Sequence, residues 1–256
     1  MKIIIDGREC SARRGEYLLD VARREGVYIP TLCHLDALPG QSCCRMCIVE
    51  VKEGGRSKTV ASCVYPVKDG IEVITNSDKI QRIRKTLVKL LYASSPQGKH
   101  MEDLLERYGP LPESRFEADE GEKCMLCGLC VRACEKLGAG AISIINRGTA
   151  KEVAPPFKEP PEACIGCGSC AHVCPSGAIE MKEEGGIRTI WDKDFELLQC
   201  TGCGRYIMTC EQYEHLKAKD PESEVVLLCE VCKRKKSADG FRDAFQNITF
   251  KNIAHP

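Results

Sequence analysis

The chain has 256 residues, with 37 basic and 37 acidic side chains, a formal net charge of zero, and 19 cysteines. A balanced charge gives no global attraction to nucleic acid, and the length suits two or three small domains. No run approaches the ~20 apolar residues that a membrane span needs, and no secretory signal is visible. We therefore expect a cytoplasmic protein, in which so many cysteines indicate metal binding and not disulfides.

Residues 1–76 predict a small α+β domain. The stretch "KIIIDGREC" reads as two strands joined by an Asp6-Gly7 turn. It is followed by "EYLLDVARREG", which predicts a helix that stops at Gly26. Two more strand segments follow, in "CIVEVKEGGRSKTVAS" and "IEVIT". Strands mixed around one helix are typical of an α+β fold.

Residues 77–117 predict a helical linker. Ser77 is a candidate N-cap for a helix in "SDKIQRIRKTLVKLLYAS", whose apolar residues follow a helical stripe. Pro96 ends that helix, and "MEDLLERYG" predicts a second one that ends at Gly109. The basic face of the first helix is interpreted as solvated.

Four cysteines of the first domain have the spacing C-x10-C-x2-C-x15-C: Cys33, Cys44, Cys47 and Cys63. A loop with three thiolates and a distant fourth is the general layout of a [2Fe–2S] ferredoxin, although the plant-type spacing is C-x4-C-x2-C. The spacing alone leaves a zinc site open as the alternative. Cys43 is passed over because only Cys44 forms a C-x2-C pair with Cys47.

Residues 118–184 contain the pattern C-x2-C-x2-C-x3-C twice, and this internal repeat is the clearest organisational feature of the chain. The pattern is that of ferredoxins with two [4Fe–4S] clusters, in which the fourth cysteine of each run ligates the other cluster. Zinc sites rarely use thiolates so closely spaced. We therefore assign Cys124, Cys127, Cys130 and Cys174 to one cluster, and Cys164, Cys167, Cys170 and Cys134 to the other.

Residues 185–256 contain two C-x2-C pairs, Cys200/Cys203 and Cys229/Cys232, separated by the 25 residues 204–228. Such pairs are typical of a four-cysteine zinc ribbon. Between them "EQYEHLKAK" predicts a helix and "EVVLL" a strand. A further iron–sulfur cluster is the alternative, because Cys210 and His215 are spare potential ligands. The basic run Lys233–Lys236 is interpreted as a solvated or docking surface and not as a nucleic-acid site.

Two stretches resemble known iron–sulfur proteins. The segments "TLCHLDALPGQSCCRMCIVEV" and "ASCVYPVKDGIEVIT" resemble the [2Fe–2S] domain that begins the large iron–sulfur subunit of respiratory complex I. They are equally similar to the diaphorase subunits of NAD-linked hydrogenases and to NAD-linked formate dehydrogenases. From Lys123 to Ile179 the chain is similar to the two-cluster segment of the same hydrogenase and formate dehydrogenase subunits. The resemblance covers roughly residues 1–182.

The resemblance implies a β-grasp ferredoxin fold with a [2Fe–2S] cluster for residues 1–76, and a bacterial-type 2[4Fe–4S] ferredoxin domain for residues 118–184. The expected fold class is therefore α+β and multi-domain, with a C-terminal zinc-ribbon-like segment. Relatives usually carry one more [4Fe–4S] cluster in the linker, held by a histidine and three cysteines. Here that region contains His100 and no cysteine, so we expect that cluster to be lost.

The function implied by the resemblance is that of an electron-transfer subunit in a hetero-oligomeric oxidoreductase, of which an electron-bifurcating complex is one form. The partners would be a flavin/NAD(H)-binding diaphorase subunit and a catalytic subunit of the hydrogenase or formate dehydrogenase type. The 256 residues leave no room for such a catalytic domain, and "GAGAIS" lacks the final glycine of a nucleotide fingerprint. No catalytic residues are predicted.

Two other functions are weighed beside this one. A free-standing polyferredoxin would diffuse between enzymes as a monomer, and a redox-responsive regulator would bind nucleic acid in a salt-dependent way. Four side chains near the predicted sites are assigned no ligand role and are interpreted as packing or surface residues: Cys10, Cys43, His34 and His172.

Overall fold

The computed structural model describes residues 1–111, 115–222 and 225–245, the last four of these by their backbone alone. The chain divides into two compact units. The first unit consists of Met1–Lys158 and Ser169–Glu180, and the second of Glu159–Gly168 and the chain from Met181 onward. The second cysteine run is therefore shared between the two units. Among the described helices, none is both long enough and apolar enough to cross a membrane.

A five-stranded mixed sheet forms the N-terminal part of the first unit. In its order β2-β1-β5-β3-β4, strands β1 and β5 are parallel and all other neighbours are antiparallel. The predicted strands are confirmed, and their bounds are β1 Lys2–Ile5, β2 Arg8–Ser11, β3 Ile48–Glu53, β4 Arg56–Ala61 and β5 Glu72–Ile74.

Helix α1 (Leu18–Arg24) covers one face of this sheet. Its side chains Leu18, Leu19, Val21 and Ala22 are buried in a single cluster with apolar sheet residues. The sheet contributes every second residue, as in β1, where Ile3 and Ile5 are buried and Ile4 is 44% exposed. This period-2 burial follows from the pleat of the strand and orients the sheet toward α1.

Helices α2 (Asp78–Ser94) and α3 (His100–Tyr108) follow the sheet. The predicted cap is confirmed, because the Ser77 hydroxyl accepts a hydrogen bond from the Ile80 N–H at 3.3 Å. One face of α2 buries Ile80, Arg84 and Val88 at helical spacing. Val88 shares an apolar cluster with α3 and with two of the predicted [2Fe–2S] ligands.

The rest of the first unit carries the first ferredoxin run and the last two cysteines of the second run. Helix α4 (Leu129–Leu137) begins after Gly128 and ends at Gly138, both with left-handed backbone, and α5 (Ser169–His172) is a single turn. Between them β6 (Ser143–Ile145) and β7 (Glu152–Ala154) pair as an antiparallel two-stranded sheet.

The second unit contains a four-stranded antiparallel sheet that the sequence did not indicate. Its order is β11-β10-β9-β8. "KEEGG", which reads in the sequence as a separator, is instead the end of β8 and a tight turn into β9, with Gly185 and Gly186 at φ +58° and +84°. The strands are β8 Met181–Glu184, β9 Ile187–Ile190, β10 Lys193–Gln199 and β11 Tyr206–Thr209.

Two helices complete the second unit, α6 (Cys210–Lys219) and α7 (Glu230–Phe245). The helix predicted in "EQYEHLKAK" is confirmed. The strand predicted in "EVVLL" is wrong for its described residues 225–228, which form no regular strand. Two hydrogen bonds hold this segment, because the N–H and hydroxyl of Thr201 both donate to the Leu227 carbonyl, at 2.9 and 3.0 Å.

Candidate iron–sulfur and metal centres

The four N-terminal cysteines are all buried, between 1% and 8% exposed. The Cys44 N–H donates to the Cys33 sulfur at 3.4 Å, and the sulfurs of Cys47 and Cys63 lie 3.3 Å apart. Hydrogen bonds from the thiols of Cys44 and Cys63 lower the pKa of Cys33 and of Cys47, respectively, to about 6, against the opposing effect of burial. The structure thus brings the predicted set together, with two thiols poised to be the thiolates that bind iron.

Backbone contacts hold this site in place. The Ser62 hydroxyl and N–H both donate to the Cys47 carbonyl, at 2.8 and 3.1 Å. On the other side Arg84 of α2 donates to the carbonyls of Met46 and Ile48, at 3.1 and 2.8 Å. Gly40 is required here by close approach, since a Cβ would lie 2.1 Å from the Cys63 carbonyl oxygen. Arg84 was not predicted as part of this site. The signal that could have identified it is a basic residue at a position of the apolar stripe of α2.

The first ferredoxin run brings Cys124, Cys127 and Cys130 together with Cys174. Burial is the main cause that raises the pKa of Cys124, that of Cys127 to about 11 and that of Cys130 to about 12. The charge of Cys174 adds to the increase at all three thiols. The loop winds through left-handed backbone at Leu126 and Gly128, with φ +54° and +71°. Four thiols converging from one loop and one distant residue are a donor set that fits a [4Fe–4S] cluster.

Cys174 has a polar setting of its own. Burial opposes its ionisation, but hydrogen bonds from the Ser176 hydroxyl and from the N–H groups of Ala178, Ser176 and Ile179 lower the pKa of Cys174. The oxygen of Ser176 lies 3.3 Å from the Cys174 sulfur. Hydrogen bonds to a ligating sulfur are one of the protein's means of setting a cluster potential.

The second predicted [4Fe–4S] set is distributed over both units. Cys134 and Cys170 belong to the first unit, and Cys164 and Cys167 to the second. The Ala141 N–H donates to the Cys134 sulfur at 3.2 Å. In the second unit the loop between Cys164 and Cys167 turns through Gly166 at φ +64°.

The C-terminal pairs converge to a compact group. The four sulfurs of Cys200, Cys203, Cys229 and Cys232 all lie within 4.8 Å of one another. The Cys229 N–H donates to the Cys200 sulfur at 3.2 Å and lowers the pKa of Cys200 to about 6. Within the described ranges no other group of three or more potential ligands is this compact. Four thiols in so compact a group are a donor set that could hold a metal.

Cys210 and His215 are not members of this group. Cys200, Cys203 and Cys210 nevertheless occupy the first, second and fourth positions of a C-x2-C-x2-C-x3-C run, and Tyr206 occupies the third. The structure places a strand at 206–209, where the helix begins in the other runs. Cys210 is the first residue of α6, where burial raises the pKa of its thiol.

Three other residues from the sequence reading lie outside the cysteine groups. His100 is buried at the start of α3, where burial lowers its pKa, and its Nε2 lies 3.4 Å from the Ser95 hydroxyl. Cys10 belongs to the apolar cluster under the first sheet. Cys43 is exposed, with its sulfur 4.0 Å from the Leu126 carbonyl oxygen. The basic run at 233–236 is exposed on α7.

These donor sets and folds define an iron–sulfur protein, and comparison with protein families agrees. Residues 1–78 match the family of 2Fe-2S iron-sulfur cluster binding domains. Residues 119–181 match a 4Fe-4S dicluster domain, and residues 163–213 match a second family of that description. The second match extends through Cys210. The chain therefore carries an N-terminal [2Fe–2S] domain followed by [4Fe–4S] ferredoxin domains.

The chain is similar to subunits of pyridine-nucleotide-linked hydrogenases. It is 33% identical over 211 residues to subunit HndD of the NADP-reducing hydrogenase of Solidesulfovibrio fructosivorans, an alignment that covers 70% of this chain and 36% of that subunit. It is 28% identical over 229 residues to the gamma subunit of the NAD-reducing hydrogenase HoxS of Cupriavidus necator, covering 77% of this chain and 94% of that subunit.

A solved structure supports the same relationship. A chain of an NAD+-reducing [NiFe]-hydrogenase in its H2-reduced state aligns with a TM-score of 0.51 and 28% identity, over 60% of this chain and 74% of that one. The chain is likewise similar, at 26% identity over 75% of its length, to the 75 kDa subunit of NADH-ubiquinone oxidoreductase of Reclinomonas americana, of which the alignment covers 31%. The alignment spans about a third of the length of HndD.

Proposed function

We propose that this protein is an electron-transfer subunit of a multisubunit oxidoreductase. The observation that carries the proposal is one apolar cluster in the first unit, which contains ligands of two predicted centres. Cys33 and Cys44 of the N-terminal site and Cys127 of the first ferredoxin run are buried there with Met46 and Met125. Packed, water-excluding side chains between two redox centres fit single-electron relay.

The proposed cofactors are one [2Fe–2S] cluster in a β-grasp ferredoxin domain and two [4Fe–4S] clusters. Such clusters, when bound, take up and release single electrons. We propose the ligand sets Cys33, Cys44, Cys47 and Cys63; Cys124, Cys127, Cys130 and Cys174; and Cys164, Cys167, Cys170 and Cys134. The first two sets are supported by the convergence of their thiols, and the third by its spacing.

Polar contacts join the two loops that meet in the apolar cluster. Arg132 donates to the Gln41 side chain at 3.1 Å and to the Pro39 carbonyl, and thereby ties α4 to the N-terminal loop. A Cβ at Gly128 would lie 3.3 Å from the Gln41 side-chain oxygen, so the two loops approach each other closely at this point. These residues would hold the first two centres at a fixed separation.

For the C-terminal group we propose one structural zinc ion. Zinc–sulfur bonds of about 2.3 Å place tetrahedral thiolates roughly 3.8 Å apart. The Cys203 and Cys229 sulfurs are 3.7 Å apart, and a zinc-ribbon-like role would connect the end of β10 with the start of α7. A further iron–sulfur cluster is the other occupant to be tested.

We propose as partners a flavin/NAD(H)-binding subunit and a catalytic subunit of the hydrogenase or formate dehydrogenase type, in a hetero-oligomer. The likeness to hydrogenase subunits over 94% of the HoxS gamma subunit supports this assignment. All 19 cysteines lie within the described ranges and form no disulfide, which fits a reducing compartment, and we propose the cytoplasm.

Metal analysis of anaerobically purified protein tests the cofactor set. The proposed set of two [4Fe–4S] clusters, one [2Fe–2S] cluster and one zinc ion predicts about ten irons and one zinc per chain. About fourteen irons without zinc would show a third [4Fe–4S] cluster. The native protein should also co-purify with partner subunits. A stable monomer without partners would favour a free-standing polyferredoxin.

The variant Cys167→Ser tests the ligand assignment. EPR of the dithionite-reduced protein should show the [2Fe–2S] signal unchanged and one of the two [4Fe–4S] signals lost. Cys10→Ser, a buried cysteine outside every proposed set, is the matched control and should retain all signals. Two intact [4Fe–4S] signals in Cys167→Ser would contradict the assignment.

A further inference from the structure

The loop that carries Cys164 and Cys167 lies directly on the sheet of the second unit. The Gly166 backbone lies against the ring of the buried Phe195, where a Cβ would approach within 2.5 Å. A Cβ at Gly168 would lie 2.6 Å from the Met181 sulfur. The Thr209 hydroxyl donates to the Ile165 carbonyl at 2.5 Å. One side of this loop therefore packs against the sheet and not against water.

Two cations reach the same loop from that sheet. Arg188, only 8% exposed, donates through Nη1 to the Gly166 carbonyl at 2.7 Å. The ammonium group of Lys193 donates to three carbonyls of the loop, those of Pro161, Glu162 and Cys164, at 3.2, 3.2 and 3.3 Å. Arg188 therefore contacts the backbone between the two cysteines, and Lys193 contacts the backbone of Cys164 itself.

The charge of Arg188 is only partly balanced. Its Nε and Nη2 contact Glu183 Oε1 at 2.8 and 2.7 Å. The Glu183 side chain is 44% exposed, whereas that of Arg188 is 10% exposed. Water therefore screens the carboxylate more than the guanidinium, and a net positive field remains at the loop.

We propose that the positive charges of Arg188 and Lys193 raise the reduction potential of the [4Fe–4S] cluster that Cys164 and Cys167 help to bind. Reduction adds one electron, and hence one negative charge, to the cluster without any bond change. Fixed cations nearby stabilise the reduced form more than the oxidised form. The proposal rests on the ligand assignment made above.

The first run has a contrasting environment. There the Glu122 carboxylate accepts hydrogen bonds from the N–H groups of Lys123 and Cys124 at 2.8 and 2.6 Å. A negative group thus lies at the first cysteine of that run, in the position where the second run has the Lys193 ammonium near Cys164. The two cubes would therefore be tuned separately by their surroundings.

An EPR-monitored redox titration with dithionite tests the proposal. The background is Cys127→Ser, which should remove the first cube and leave the second as the only [4Fe–4S] signal. In that background Arg188→Met should lower the reduced-to-oxidised ratio at a fixed potential about tenfold, a midpoint shift of about 59 mV downward. Lys193→Met should shift the midpoint downward as well, and Glu183→Gln should shift it upward.

Lys182→Met is the matched control, because it removes a positive charge from the exposed side of the neighbouring strand β8. Its midpoint should remain at the background value. Midpoints of Arg188→Met and Lys193→Met equal to that of Lys182→Met would overturn the proposal. If Arg188→Met fails to retain iron, the opposite shifts of Lys193→Met and Glu183→Gln decide the question.

The same experiment separates this proposal from the one on which it rests. Absence of any [4Fe–4S] signal in Cys127→Ser, with an iron content that fits the [2Fe–2S] cluster alone, would refute the assignment of two separate cubes. A retained [4Fe–4S] cluster whose midpoint potential is unchanged in Arg188→Met, Lys193→Met and Glu183→Gln would refute only the role of Arg188 and Lys193.

Discussion

Replacing Arg84 by methionine tests whether α2 supports the [2Fe–2S] site. The guanidinium is 3% exposed and donates to the carbonyls of Met46 and Ile48, which flank Cys47. Methionine keeps much of the apolar length of the side chain but removes both donors. Two buried carbonyls beside a proposed ligand would then lose their partners.

The size of the effect follows from these two bonds. A hydrogen bond to a charged group contributes about 1.5–3 kcal/mol, so two contribute about 3–6 kcal/mol. Burial of the charged guanidinium offsets part of this, as it also lowers the pKa of Arg84. We therefore expect a loss of about 3 kcal/mol, which would raise the population of the locally open site roughly a hundredfold.

The assay is the loss of the [2Fe–2S] EPR signal from anaerobic holoprotein mixed with an iron chelator. Where chelation is slow relative to reclosing, its rate follows the open population. Arg84→Met should lose the signal about a hundred times faster than the unmodified protein. Lys85→Met removes an exposed charge from the same helix and should behave as the unmodified protein. A rate for Arg84→Met within about threefold of that of Lys85→Met would refute the reasoning.

Two further predictions concern the second unit. Gly166→Ala places a methyl group against Phe195 and should reduce the iron content by one cube, about four irons per chain. Gly185→Ala has the same left-handed backbone but open space around it, so it should retain its iron; equal contents would exclude the steric explanation. Cys229→Ser should abolish zinc binding and lower the melting temperature of the second unit, as calorimetry would detect, because a structural metal contributes folding free energy. An unchanged melting curve would contradict a structural role.

The cluster-binding chemistry of this protein is readable in its sequence because it depends on local spacing. Three thiolates with two residues between neighbours can each ligate one iron of a [4Fe–4S] cluster whatever surrounds them, so the two repeated runs predict ferredoxin centres directly. The cap at Ser77 and the helix at 78–94 were likewise predicted from residues within a few positions of one another. The compactness of the C-terminal cysteine group was expected from two such pairs, and the structure brings all four together.

The sheet of the second unit was missed for a physical reason. Strand β8, "MKEE", has a single apolar residue, Met181. No alternation of apolar and polar residues therefore marks it, and its place is set by backbone pairing with β9. The Gly185-Gly186 turn was a local signal of a hairpin, but the segment before it, β8, is too polar to support that interpretation.

The surroundings of the centres were decided only by tertiary structure. Arg84, Arg188 and Lys193 lie far in sequence from the cysteine loops they contact. Nothing in a local pattern tells a buried guanidinium from a solvated one, because the difference is made by strands and helices that pair over long range. The sequence by itself thus predicted the cluster ligands, because that prediction depends on local spacing, and the fold determined which charges and carbonyls lie beside those cysteines.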